Sequence, residues 1–190
     1  EAGYTSLFNG RDLTGWGYRP TSAQDRKMAQ RWQANDPHAA AWPFVEEPES
    51  FDGLTASPDG RFAAINGRLV VTTPPGGRTV QQLWTQQEFG DDFELRLEFR
   101  ATPNADSGVY VRGPQLQCRD YKLAGPWKNL PGYRPQEWNE MVITVKGTTA
   151  TATCNGVPIP HEMTLPASGP LGVEGDRGQM EYRRIRYRIE

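Results

Sequence analysis

Residues 105–121 read ADSGVYVRGPQLQCRDY and gather several groups able to act on a polar ligand. Arg112 and Tyr110 fall on one side of a strand whose other side carries Val109 and Val111. A guanidinium placed there offers a planar fork of donors, suited to hydroxyl groups or to a developing oxyanion. The competing assignment is a structural ion pair between Arg112 and Glu98 or another acid on a neighbouring strand. Gln115 and Gln117 follow as neutral amides able to bind in a bidentate way, Gln117 the stronger candidate for ligand contact. A second array runs through Glu94, Arg96, Glu98 and Arg100, alternating in sign along one strand face. On a convex sheet this is a solvated ladder of cross-strand pairs worth roughly 0.2–1 kcal/mol each. On a concave sheet the same side chains, about 6.6–6.8 Å apart, line a groove, with Glu98 and Arg100 the strongest candidates. Glu174 and Asp176 add two acids two residues apart. Trp127, in the loop AGPWKNLPGY between Tyr121 and Tyr133, is the best candidate for a stacking platform.

These groups need strands to hold them, and period-two alternation supplies the strands. Phe93, Leu95, Leu97 and Phe99 share one face, and Met141, Ile143 and Val145 share another. Leu116 and Cys118 point inward on the strand that carries Gln117. Near the C-terminus Ile185, Tyr187 and Ile189 alternate with Arg184, Arg186 and Arg188, a charged row of the kind that guards an exposed strand. Asn66-Gly67 and Asn155-Gly156 are two-residue hairpin signals, because both positions need positive φ. Many short strands, regular turns and few helix signals predict an all-β fold, a sandwich or jelly roll of two antiparallel sheets. Residues 18–61 break this pattern, being polar, irregular and rich in Pro and Ala. Ser22 and Asp25 have capping-box spacing, and Met28 and Trp32 lie four apart, which predicts a short helix near 23–33. The segment reads as an insertion walling one end of a groove.

Composition removes several function classes. The 190 residues fit one domain spanning 1–190, and 36% hydrophobic content requires the apolar set to be concentrated on inner faces. The 20 Gly and 16 Pro match a fold with many turns. A net charge of −2 without a basic stripe speaks against nucleic acid, and no apolar run approaches the ~20 residues of a membrane span. Two histidines, His38 and His161, leave no paired Cys/His pattern for zinc and no Gly-x-Ser-x-Gly elbow. No loop motif calls for calcium, although Asp, Glu and carbonyl groups leave a bound ion open; no other cofactor is expected. Cys118 and Cys154 read either as two buried thiols or, if their strands are neighbours, as a disulfide. A chain opening on Glu1 fits a mature exported protein as well as one trimmed by design; an exported, periplasmic or extracellular location is the expectation. The oligomeric state is open. Carboxylates, arginines, amides and aromatics remain, and this set suits carbohydrate.

Five segments together resemble one family. They are SLFNGRDLTGW at 6–16, LWTQQEFGDDFELRLEFR at 83–100, ADSGVYVRG at 105–113, EWNEMVITVKG at 137–147 and GPLGVEGDRGQMEYRRIR at 169–186. On these blocks the chain is identified as a member of the 3-keto-disaccharide hydrolase domain family. The resemblance implies a fold similar to concanavalin A-like lectins and laminarinase-type glucanases, a jelly roll with a concave sheet. It also implies a sugar or glycoside ligand. In the family the last block often reads Gly-Leu-Gln-Asp-His-Gly; here Gly172–Arg177 holds no histidine, so the chain either does without it or replaces it with Glu174 and Asp176. The stretch was expected as a loop.

The chemistry implied by the resemblance is removal of the proton at C2, acidified by a ketone at C3, then loss of the C1 substituent and addition of water. It needs a positioned base and an electrophile beside the C3 oxygen. By resemblance Glu98 or Glu181 is the base and Arg112 steadies the oxyanion. Arg100, Tyr110, Gln117, Trp127, Arg183, Glu174 and Asp176 hold the ligand, with Glu181 and Arg183 expected in the same groove. The alternative is a lectin-like domain that binds sugar without catalysis, since fold does not fix function. A buried carboxylate facing a cleft beside Arg112 favours the enzyme; a shallow aromatic floor with exposed acids favours the lectin.

Overall fold

The computed structural model describes residues 2–190. In chain order its elements are β1 (Thr5–Ser6), β2 (Trp16–Tyr18), α1 (Ala23–Asn35), β3 (Glu49–Ser50), β4 (Phe62–Ile65), β5 (Arg68–Val71), β6 (Gln81–Phe89) and β7 (Phe93–Ala101). There follow β8 (Asp106–Val111), β9 (Gln115–Arg119), β10 (Asn139–Lys146), β11 (Thr149–Cys154), β12 (Val157–Pro158), β13 (Met163–Thr164), β14 (Gly169–Gly175) and β15 (Met180–Ile189). Two antiparallel sheets stack as a jelly-roll sandwich. One runs β12-β11-β10-β7-β15-β5-β4, with β1 and β13 at its margins; the other runs β3-β2-β6-β14-β8-β9. We call the second the groove sheet and the first the ladder sheet.

Alternation builds the core. Leu95, Leu97, Phe99, Met141, Ile143 and Tyr182 of the ladder sheet meet Leu83, Val109, Val111, Leu116, Leu171 and Val173 of the groove sheet, all nearly or fully buried. Both Asn-Gly turns take the positive φ pair that their sequence requires: 48° and 75° at Asn66-Gly67, 49° and 79° at Asn155-Gly156. Cys118 and Cys154 are free, buried thiols on strands of opposite sheets, so the neighbour condition for a disulfide is not met.

Helix α1 starts where the capping pair predicts. The Ser22 side chain accepts from the Asp25 amide at 3.0 Å and donates to the Asp25 carboxylate at 2.9 Å. The helix buries Ala29 and packs Met28 and Trp32 against Ala40, Trp42 and Val80, a second small core outside the sandwich. The insertion thus carries its own apolar contacts and lies over the outer face of the groove sheet.

Candidate functional site

The outer face of the groove sheet can be read directly from strand parity. Leu83, Val109, Leu116 and Val173 point into the core, so Gln82 and Trp84 on β6, Gly172 and Glu174 on β14, Asp106, Gly108 and Tyr110 on β8, and Gln115 and Gln117 on β9 point out. Two glycines make this face concave. A Cβ on Gly172 would stand 2.7 Å from the Trp84 ring and 2.6 Å from a backbone oxygen; one on Gly108 would collide with the Gln115 amide. Trp84 and Gln115 fold over these bare positions, and the Trp84 ring lies against Tyr110 with centroids 4.6 Å apart. Helix α1, Trp42 and Arg78 close the sides. The result is a cavity of about 680 Å³ with Asp106, Tyr110, Glu174 and Asp176 on its floor.

Glu174 is the chemical centre of this cavity. Burial is the largest influence and pushes its carboxyl up to about 7; Asp176 pushes the same way, and the Tyr110 hydroxyl and Gln115 amide oppose. Protein surrounds the carboxyl, and the accessible surface it keeps faces the cavity. Tyr110 donates to its Oε2 at 2.8 Å. Asp106 is also raised, first by burial, while Arg119 at 2.8 Å pulls it down. Asp176 is clamped by both arms of Arg78, at 2.5 and 2.6 Å. Each of the other two acids therefore has an arginine, and Glu174 has a tyrosine instead.

The cavity also collects unpaired polar atoms. Nε of Arg119, Nε of Arg112 and Nε1 of Trp42 are buried without a hydrogen-bond partner, and all three residues line it. Buried donors left open in one place are costly unless a ligand satisfies them. Among the described residues no set of three or more His, Cys, Asp or Glu side chains is arranged to hold a metal.

The 3-keto-alpha-glucoside-1,2-lyase-like domain model matches residues 3–188. The chain belongs to this family. No curated protein matches it in sequence. Two solved structures from Parabacteroides distasonis, each described as a candidate glycosyl hydrolase, share the fold. One is 14% identical over 99% of this chain and 94% of its own, with a TM-score of 0.60. The other is 21% identical over 68% and 90%, with a TM-score of 0.54.

Within this 3-keto-alpha-glucoside-1,2-lyase-like domain the sequence-predicted residues separate into two groups. Tyr110, Gln117, Glu174, Asp176 and Arg112 line the cavity. Glu98, Arg100, Glu181 and Arg183 do not join them: β7 and β15 belong to the ladder sheet, so their polar side chains leave the sandwich on the opposite side. There Glu98 pairs with Arg183 at 2.6 Å and Arg184 at 2.7 Å, and Glu181 pairs with Arg100 at 2.5 Å and Arg68 at 3.0 Å. Arg183 and Arg100 lie 3.9 and 4.8 Å from the Trp138 ring centroid. The single groove expected for all of these residues is thus split across the two outer faces.

Arg112 is at the rim with its guanidinium occupied. It donates to the carbonyls of Asp91 at 2.6 Å, Gly147 at 2.7 Å and Pro166 at 3.3 Å, and makes no ion pair with Glu98. Trp127 packs partly buried against the core, near Tyr121 and His161, away from the cavity lining. Of residues 172–177, expected as a loop, 172–175 lie in β14, at the centre of the groove sheet. Asp106, Gln82, Asp25, Arg78, Arg119 and Trp42 are the cavity residues that sequence reasoning passed over. Asp106 shares the parity of Tyr110 and Arg119 that of Gln117, so alternation alone signals those two. Arg78 and Trp42 sit in irregular segments that carry no such signal.

Proposed function

We propose that this chain cleaves the glycosidic bond of 3-keto-glycosides by elimination followed by hydration, with Glu174 as the base. The observation that carries the reading is Glu174 itself: an enclosed carboxyl, poised at about 7, that faces a cavity rimmed by Arg112. A base held near the working pH is partly ionised yet still basic enough to take a carbon-bound proton. A lectin has no use for such a group.

In this reading the C3 ketone of the bound sugar acidifies the C2 hydrogen. Glu174 takes that proton, and the electron pair of the C–H bond passes into an enolate whose charge sits on the C3 oxygen. The open Nε of Arg119 is the donor available to hold this oxygen. The enolate pair then forms the C1–C2 double bond as the C1–O bond breaks, and the departing oxygen is protonated, with protonated Glu174 one source. Water added across the double bond gives the free 3-keto sugar and completes a net hydrolysis. Trp32, Trp42 and Trp84 supply flat apolar walls to a ligand whose hydroxyls face the amides.

The test is a panel of 3-keto-disaccharides and their unoxidised parents, with release followed by chromatography. Release from the keto sugars alone, abolished in Glu174→Gln, is the expected result. Binding without release from either set would assign the cavity to recognition only.

A further inference from the structure

We propose that Asp25 and Gln82 are positioning residues that fix the direction of the hydrogen bond between Tyr110 and Glu174. The proposal rests on Glu174 being the reacting carboxylate. Its argument begins with what each group is able to donate. A carboxylate only accepts. The contact between Asp25 Oδ2 and Gln82 at 3.3 Å therefore requires the amide nitrogen of Gln82 on that side. The same Nε2 reaches the Tyr110 oxygen at 3.1 Å with its second hydrogen. Tyr110 thus accepts from Gln82, and its one hydrogen is directed to Glu174 Oε2. With the amide turned round, its oxygen would face the Asp25 carboxylate and would compete with Glu174 for the Tyr110 hydrogen. The insertion helix, through one acid anchored by the Ser22 cap, thereby sets the order of a relay that ends on β14.

The other charged groups around Glu174 act on it without passing through this relay. Asp106 on β8 and Asp176 at the end of β14 raise it. Arg61, Arg78 and Arg119 offset them, Arg61 and Arg78 acting directly on Glu174 and Arg119 through Asp106. Removing the charge of Asp25 by itself can only ease ionisation of a nearby acid. Losing the Tyr110 donor does the reverse, because a hydrogen bond to the charged form stabilises that form. The two explanations predict opposite signs.

The experiment is a titration of Glu174 by carbon NMR in protein labelled at the glutamate carboxyl and free of substrate, the resonance being assigned by its loss in Glu174→Gln. Asp25→Leu keeps the branched shape and removes both acceptor oxygens, so nothing holds the Gln82 amide nitrogen on that side. It is expected to raise the Glu174 midpoint by about one pH unit. The double variant Asp25→Leu/Gln82→Met is expected to return it towards the wild-type value, since no amide oxygen then competes for Tyr110. A lowered or unchanged midpoint in Asp25→Leu overturns the proposal, as does a rise that persists in the double variant. Because no turnover is measured, these outcomes are independent of whether the chain is a hydrolase.

Discussion

Glu174 is held in a state that the fold itself opposes, and this makes it the residue to titrate. Its carboxyl is raised from 4.5 to about 7, so between these values the folded state binds more protons than the unfolded one. Stability from this group is complete below about 4.5 and is lost as pH rises through about 7. Glu174→Gln is therefore expected to raise the melting temperature at pH 8 and to change it little at pH 4. The gain at pH 8 is about 1–3 kcal/mol, the lower end applying if cavity water relieves the burial. Thermal melts of both proteins across that range check it; an equal shift at both pH values would mean that Glu174 titrates normally. For turnover the sign is reversed, since the base must be ionised: kcat/KM is expected to climb with pH through about 7. Glu174 was legible in the sequence as a candidate ligand contact in a loop. Its place on β14 and its burial were not, because both depend on segments far away along the chain: β6 and β8 on either side, and the insertion and loop that bring Asp25, Trp42 and Arg78 to the same cavity.

The elements show what alternation can and cannot say. It separated inside from outside on β7, β9 and β10, where burial alternates; on β8 all six residues are buried, and on β15 Arg186 is buried while Ile189 is exposed. It could not say which outside was which. β14 lies between β6 and β8 although 79 residues separate Phe89 from Gly169, and nothing local encodes such a pairing. The stretch 172–177, expected as a loop, holds a strand residue whose small side depends on a neighbour: Gly172 is bare because Trp84 lies over it. Gly172→Ala is expected to push the Trp84 ring out of place and cost about 1–3 kcal/mol, a typical cost of overpacking; denaturant unfolding and Trp fluorescence report the two effects separately. Arg112 works at the same scale. Its guanidinium ties the turn after β8 to Asp91, Gly147 and Pro166, three connections that otherwise meet only at this end of the sandwich. Arg112→Met keeps the volume and removes the donors, and is expected to lower stability by roughly 2–4 kcal/mol. Residual turnover per folded molecule would then separate a clamp, which leaves it largely intact, from an oxyanion donor, which abolishes it.

The whole molecule has two polar outer faces that look alike in sequence, and geometry separates them. On the ladder sheet each carboxylate has more than one arginine beside it: Glu98 has Arg183 and Arg184, and Glu181 has Arg68 and Arg100. That satisfies the acids with charge-assisted hydrogen bonds. On the groove sheet Glu174 has Tyr110 in place of an arginine and is covered by the insertion, so the same residue type sits in a setting that favours its neutral form. The difference lies in pairing, since Glu181 is buried as well. A buried acid whose neighbours include other carboxylates acquires a raised proton equilibrium. The two faces should consequently answer mutation in opposite ways. Glu181→Gln and Arg183→Ala, made separately, are expected to leave kcat/KM for a 3-keto-glycoside within about twofold, with a stability change of roughly 1 kcal/mol or less for the half-exposed Arg183 and a larger loss for the buried Glu181. Glu174→Gln on the other face is expected to remove turnover while leaving the protein folded. A large loss of kcat in the Glu181 or Arg183 variants, with stability unchanged, would move the chemistry to the ladder sheet and leave the cavity under helix α1 as a binding site.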